Sequence, residues 1–274
     1  MAVDDDVSTT LMAHDDPSRT SEVIAFLAGS PNRREILARL EAGPATREAL
    51  LADVDASRVT LWRNLSELVD RDWVSAEEDG YSLTVAGRLV FEHFRSLQRT
   101  LDTVERLGDV VEWLPAEEMG VDVARLADAR IAVPTPSDPQ APMRLVDRQM
   151  REASHVDILS HAMAPNILGA LDADRDGDDL VVEGVITSDV ADAIGADPRT
   201  HRQFRDAVAR GALRWHRYDG EIPYVLAVLD GERVGIGLDD DAGRPQAVLE
   251  TDDPVVLEWA LETFDAYRRD AHPM

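Results

Sequence analysis

The sequence contains no cysteine and no lysine, and all 28 of its basic residues are arginine. Without cysteine there is no thiol nucleophile, no disulfide and no Cys-ligated zinc or iron–sulfur site. Without lysine there is no Walker A lysine, no Schiff-base lysine and no Ser-Lys pair. Positive charge is scarce altogether. Against those arginines stand 54 Asp and Glu, a net charge of -26 over 274 residues. No apolar run approaches the roughly 20 residues that a membrane-spanning helix needs. The first residues are rich in aspartate where a secretory signal would be positive. These absences predict a soluble, cytoplasmic protein with no membrane partner. Dispersed acidity without lysine suits a chain kept soluble in concentrated salt, so a halophilic archaeon is the expected source. Hydrophobic residues still make up 44%, enough for a sizeable core.

The charge is unevenly spread. Residues 18–100 hold 11 Arg against 13 Asp and Glu, a net of -2, which leaves -24 for the remainder. Such asymmetry points to a nucleic-acid partner for the near-neutral segment, although burial of the segment would also lower its acidity.

Local patterns inside that segment are specific. Residues 1–17 are polar and aperiodic and read as a disordered acidic tail. Ser21 to Ala28 is a short helix. Ser30-Pro31-Asn32 starts a second, with Ile36, Leu37 and Leu40 on one face. Gly43-Pro44 ends it, and Thr46 caps a third with Ala49, Leu50 and Val54 inward. A tight turn at Asp53 to Ala56 leads to a fourth helix opened by Ser57, with Val59, Leu61, Leu65 and Leu68 apolar. Trp73-Val74-Ser75 and Tyr81-Ser82-Leu83-Thr84 flank an Asp79-Gly80 turn and read as a hairpin. Helix, helix, helix, turn, helix, hairpin is the order of a winged helix-turn-helix domain, placed at 18–87. In that motif the second helix enters the major groove by its N-terminal half. With Val59, Leu61 and Leu65 inward, Ser57, Arg58, Thr60, Arg63 and Asn64 are left for the groove. Arginine reads guanine bidentately and asparagine reads adenine. No acidic residue occurs from 56 to 66. Arg33, Arg34 and Arg47 lie near helix starts and are candidate phosphate contacts. The alternative is a winged helix used only for protein contacts.

From Thr84 a long helix carries apolar residues at 90, 94, 97, 101, 104 and 111, interrupted by Gly108. The alternating steps of four and three predict a linker and dimerisation helix over 88–114. Beyond Pro115, elements alternate as in an α/β domain over 115–274. Helices are expected at Met143 to Ala153, Pro165 to Leu171, Asp189 to Gly195, Thr200 to Arg210 and Pro254 to Arg268. Strands are expected at His155 to Ser160, Leu180 to Ile186, Leu213 to Tyr218, Tyr224 to Leu229, Arg233 to Leu238 and Gln246 to Leu249. The fold class is therefore α+β: a winged helix-turn-helix domain, a long linker helix and a C-terminal α/β sensor domain.

Motifs with catalytic overtones are weak. Asp172, Asp174, Asp176, Gly177 and Glu183 fit an EF-hand loop. However, Asp179 stands where an apolar residue belongs, and a strand follows where an exit helix should. Gly235-Ile236-Gly237 lies between strands and is no dinucleotide loop. His155 and His161 lack a third ligand. No metal, cofactor or enzymatic activity is expected, and a hydrolase with an Asp/Glu metal site around Asp174 and Asp176 is the outlying alternative.

The N-terminal pattern resembles haloarchaeal winged-helix transcription regulators of the ArsR-like and TrmB-like kind. The stretches Tyr218 to Asp230, Asp239 to Arg244 and Glu258 to Arg268 resemble the sensor domain of regulators related to the methanogenesis-regulator middle domain. That resemblance implies a phospholipase-D-like α/β domain that has lost catalysis. Phospholipase-D chemistry uses His-x-Lys, and here His161-Ala162-Met163 has Met in place of Lys. The implied function is a homodimeric regulator that binds double-stranded DNA and responds to an unknown small-molecule effector. Ligands of open α/β sheets settle beyond the carboxyl ends of strands, which nominates Ser160, His161, Thr187, Ser188, His216, Arg217, Tyr218 and Tyr224 as effector-binding residues.

Overall fold

Side-chain caps set the starts of three N-terminal helices. A computed structural model describes residues 17–162, 169, 171, 180–240 and 244–274. Residues 1–16 of the tail expected over 1–17, most of the helix expected at 165–171 and the EF-hand-like carboxylates Asp172, Asp174 and Asp176 lie outside the described residues, while Pro17 opens the first helix. Helix α1 spans Pro17–Ala28, α2 Pro31–Glu41, α3 Arg47–Asp53 and α4 Arg58–Val69. The Ser30, Thr46 and Ser57 side chains accept from the backbone N–H of Arg33, Ala49 and Thr60, so three helix N-termini have a donor satisfied. Strands β1 (Val74–Glu77) and β2 (Gly80–Leu83) form an antiparallel hairpin, and α5 follows at Val85–Leu107. Leu27, Ile36, Leu37, Leu40, Leu50, Leu61, Leu65, Leu68 and Phe91 make a closed core.

Two glycines permit close backbone approach there. Ala45 and Tyr81 exchange both backbone hydrogen bonds, at 2.9 and 3.0 Å, and a Cβ on Gly80 would lie 2.6 Å from the Ala45 carbonyl oxygen. A Cβ on Gly87 would lie 2.1 Å from the Trp73 carbonyl oxygen, so α5 starts directly against the strand backbone. Gly87→Ala therefore pushes backbone against backbone. We expect it to destabilise the N-terminal unit by about 1–3 kcal/mol, read by denaturant unfolding; a midpoint equal to the parent's would contradict this contact.

The chain divides into two compact units, Met1–Gln98 and Arg99–Met274, and the division falls inside α5. This differs from the expected linker over 88–114. At Gly108 φ is +54°, the α-helix ends, and Gly108–Trp113 continues as a 3₁₀ turn. Leu107 and Val110 are buried in the second unit's core and Val111 packs against it. Positions 108 and 111 are thus not part of a free helical seam.

The second unit is built on a mixed eight-stranded sheet. Its elements are α6 (Ala116–Met119), β3 (Arg130–Ala132), α7 (Ala141–Glu152), β4 (His155–Ser160), β5 (Val181–Thr187), α8 (Ser188–Ala196) and α9 (Pro198–Ala209). They continue with β6 (Leu213–Tyr218), β7 (Val225–Leu229), β8 (Arg233–Asp239), β9 (Pro245–Thr251), α10 (Pro254–Asp270) and β10 (His272–Pro273). The strand order is β10-β6-β5-β4-β7-β8-β9-β3. β4, β5 and β6 run parallel, and every other neighbouring pair is antiparallel. The β7–β8 turn puts Asp230 and Gly231 at φ +55° and +69°, the mirror-image turn that an Asp-Gly pair favours. Alternation along the strands separates two cores. Leu159, Val185, Val228 and Ile236 face α10, whereas Ile158, Val182, Ile186 and Leu229 face the side of α7, α8 and α9.

Candidate functional site

In the N-terminal unit, α4 presents a clear outer face. Leu61, Asn64, Leu65 and Leu68 are buried at i, i+3, i+4 and i+7. That phase corrects the sequence reading at two positions. Val59, expected inward, is 78% exposed, and Asn64, expected in the groove, is 2% exposed. An asparagine held in the core cannot read a base. The outer face is Arg58, Val59, Arg63 and Ser66, with Thr60 and Trp62 half-buried beside it. Ser57 is exposed, but its hydroxyl caps the helix and contacts the Thr60 hydroxyl at 2.9 Å. No ion pair or hydrogen bond engages the Arg58 or Arg63 guanidinium among the described residues, and the first turn of α4 has no acidic residue.

The three remaining arginines differ. Arg33 donates to Glu67 and to the Phe26 carbonyl and stacks 3.8 Å over the Phe26 ring. It joins α1, α2 and α4, so its expected phosphate contact is corrected to a structural role. Arg34 donates to the Leu27 and Ala28 carbonyls at 2.9 and 2.7 Å, closing the C-terminus of α1; its charge is committed there as well. Arg47 is exposed. It donates to the Tyr81 hydroxyl at 3.1 and 3.0 Å and lies 4.5 Å over the Trp62 ring. It thereby links α3, α4 and the hairpin, and sequence reading missed the Trp62 and Tyr81 partners. The hairpin tip beside it carries Glu77, Glu78 and Asp79, which repel phosphate.

In the second unit, a polar cleft opens beyond the carboxyl ends of β4, β5 and β6. It is lined by His161, Thr187, Ser188, Asp189, Asp219, Glu221 and Pro223. Arg217 reaches it, donating to the Ser188 hydroxyl at 3.0 Å and to Asp192 at 2.9 Å. The Ser188 hydroxyl donates to Asp219 at 2.7 Å, and that bond, helped by Arg217, holds the Asp219 carboxyl below its usual range. Three carboxylates at the rim oppose a free anion, even at a helix N-terminus.

The eight nominated effector residues do not share this cleft. Ser160 is 2% exposed and lines a separate apolar cavity under α7. His216 turns to the opposite face of β6 from Arg217 and pairs with Glu183 at 3.1 Å, where Arg268 of α10 also arrives. Tyr218 packs on Tyr267. Tyr224 is buried against Trp259, and burial pushes its hydroxyl up to about 12. Three of the eight, His161, Thr187 and Ser188, line the cleft directly. Glu183, the last carboxylate of the EF-hand-like pattern, is held by His216 and Arg268. No group of three or more potential metal ligands occurs among the described residues. No helix there is long and apolar enough to cross a membrane.

His161 Nε2 lies 2.8 Å from Asp239. That hydrogen bond raises the imidazole pKa above its ordinary value, against the opposing effect of burial. A raised folded-state pKa contributes stability that is fully present below the unfolded value and disappears as pH rises through the folded one. We therefore expect the second unit to lose stability as pH rises through the ordinary imidazole range and on through the raised folded-state value, and His161→Asn to remove that part of the dependence. Parallel stability–pH curves for parent and variant would contradict the pairing.

Two family models match the chain, each over less than half of it. Residues 21–106 match the HVO_A0261 N-terminal domain, and residues 139–270 match the middle domain of the methanogenesis regulatory protein FilR1. No curated protein matches. Among solved structures, TrmBL2, described as an archaeal chromatin protein with a novel mode of DNA binding, overlaps with TM-score 0.40 and 17% identity, over 94% of this chain and 100% of that one. NucT from Helicobacter pylori overlaps with TM-score 0.37 and 12% identity, over 53% of this chain and 98% of that one. The O-methyltransferase NcsB1 of neocarzinostatin biosynthesis gives TM-score 0.25 and 15% identity, over 76% and 68%.

Proposed function

We propose that the chain is a homodimeric, sequence-specific DNA-binding transcription regulator. Residues 18–87 form the winged helix-turn-helix that reads duplex DNA, and the C-terminal unit answers a small-molecule effector. The observation that carries this reading is the outer face of α4. Arg58 and Arg63 stand exposed and, among the described residues, unpaired, with no acidic residue from 56 to 66, in a chain of net charge -26. Where carboxylates outnumber arginines nearly two to one, cations kept clear of them point to an anionic partner. The match of 139–270 to a domain of a regulatory protein supports a regulatory role for the second unit.

The homodimer is supported by α5 and α1. Leu89, Leu97, Leu101 and Val104 are 52%, 42%, 58% and 39% exposed on α5, and Ile24 of α1 is 44% exposed. Val23, Leu27 and Phe94 line an apolar groove with Ile24, Leu89 and Leu97. Residues 97, 101 and 104 keep the four–three spacing of a helix pair, so a second copy of the chain is the natural cover. An effector that binds one dimer geometry better than another shifts its population and changes the spacing of the two α4 helices.

The chain reads as a binder rather than an enzyme. It holds no lysine or cysteine, so amine and thiol nucleophiles are missing from its chemistry. A second reading, a winged helix that contacts protein without reading DNA, draws on the exposed Val59 between Arg58 and Arg63. Titration against duplex DNA separates the two. Saturable, sequence-dependent binding that needs Arg58 and Arg63 supports the first; indifference to their loss supports the second.

A further inference from the structure

We propose that the apolar cavity between α7 and the sheet is a ligand site for a small aromatic or branched aliphatic molecule that carries one hydrogen-bond acceptor, seated with its acceptor on the Gln149 amide. This deepens the regulator reading only by placing the effector; binding itself is independent of DNA.

The cavity has a volume of about 150 Å³. Met143, Val146 and Met150 of α7 cover it, and Ile158, Val225 and Ala227 form part of its floor. Apolar walls around a space of about 150 Å³ are enough to hold a benzene-sized ring. The space exists because of the sequence of β8. Gly235 and Gly237 fall two apart on the strand face beneath α7, where side chains would otherwise fill the layer. A Cβ on Gly235 would lie 3.1 Å from the Gln149 Nε2, so the absent side chain is what gives the amide its room.

Gln149 supplies the second observation. It is 2% exposed, and its Nε2 has no hydrogen-bond partner among the described residues. A buried amide donor without a partner is unfavourable, and so is a void in a packed layer. One molecule removes both: a ring or branched chain fills the void, and its carbonyl or ether oxygen accepts from Nε2. The other polar side chains on the wall are engaged. The Ser160 hydroxyl donates to the Ala162 carbonyl at 2.6 Å, and Asp239 holds His161. Acidic Asp239 on the wall excludes a carboxylate-bearing ligand and leaves a neutral acceptor. His161 lines the polar cleft and its partner Asp239 lines the cavity, so their hydrogen bond spans the wall between the two.

The test uses the full chain with two probes of nearly equal shape, 4-fluoroacetophenone and 4-fluoro-α-methylstyrene, in which a CH2 replaces the ketone oxygen, followed by ¹⁹F NMR titration. Both are expected to bind saturably, the ketone about 10-fold tighter because a single hydrogen bond separates them. Val146→Phe fills the cavity and is expected to abolish binding of both. Gln149→Leu keeps the volume and removes the donor; it is expected to bind the two probes equally and to melt no lower than the parent. Absence of saturable binding would overturn the proposal, as would binding unchanged by Val146→Phe. Equal affinities in the unaltered protein would mean that water rather than a ligand satisfies the amide, and would overturn it too. Because the readout contains no DNA, failure here leaves the DNA-binding reading untouched.

Discussion

Replacing Arg58 and Arg63 together by alanine is expected to weaken binding to the specific duplex by about two orders of magnitude or more, with the fold intact. A base-contacting arginine is worth roughly 1–3 kcal/mol, and a phosphate-contacting one lowers the salt slope by about one unit. Neither side chain holds any other element in place among the described residues, so the change in stability should stay within about 0.5 kcal/mol. Arg33 would be a poor control, because its loss removes the tie among α1, α2 and α4 and leaves Glu67 unpaired. The experiment is an anisotropy titration with circular dichroism on the same samples. A double variant that binds like the parent would transfer DNA reading away from α4.

The second large effect is expected at α5. Leu97→Glu with Leu101→Glu places charges where a partner copy would bury leucine. Burying a leucine is worth roughly 1.5–3 kcal/mol, and the dimer contains each site twice. Dimer association should therefore weaken by at least about 1,000-fold, turning the chain monomeric at micromolar concentration. Both leucines are already more than 40% exposed, so the protomer itself should fold. Light scattering on the eluted protein reads the mass directly. A variant that remains dimeric would exclude this face, and a monomeric parent would exclude the dimer. Monomerisation should also weaken DNA binding, because two half-sites no longer share one molecule.

How far sequence reading reached depends on the range of the interaction. Caps at Ser30, Thr46 and Ser57 were legible because a hydroxyl bonds an N–H three residues on. The two hairpins were legible because turns are equally local, although in the first the two-residue loop is Glu78-Asp79 and Gly80 already pairs with Glu77 in β2. The strands β3 and β10 were not. They span three and two residues and exist only through pairing with β9 and β6, far away in the chain. The phase of α4 was misread because Val59 looks like core by composition alone. Counting from Leu61 and Leu65 to Leu68 would have put Asn64 on the same stripe and Val59 off it. The nominated effector residues scattered for a related reason. His216 and Arg217 are neighbours in sequence, but successive strand residues point to opposite faces, so they could not serve one site. Gly235 and Gly237 offered a usable signal. Two glycines two apart in a strand leave one face bare, and that face floors the cavity.

Counterion release drives most protein–DNA association in dilute salt and supplies little in concentrated salt. A regulator with so much negative charge must then rely on direct base contacts, DNA shape and dimer avidity. The most direct test is titration of the chain, in molar potassium chloride, against the duplex upstream of its own coding sequence and against a scrambled duplex of equal composition. The account predicts saturable binding to the first, at least about 1,000-fold tighter than to the second, the lower end for specific recognition. Equal affinity for the two duplexes, or no binding by a folded dimer with or without a cavity-filling ligand, would contradict it.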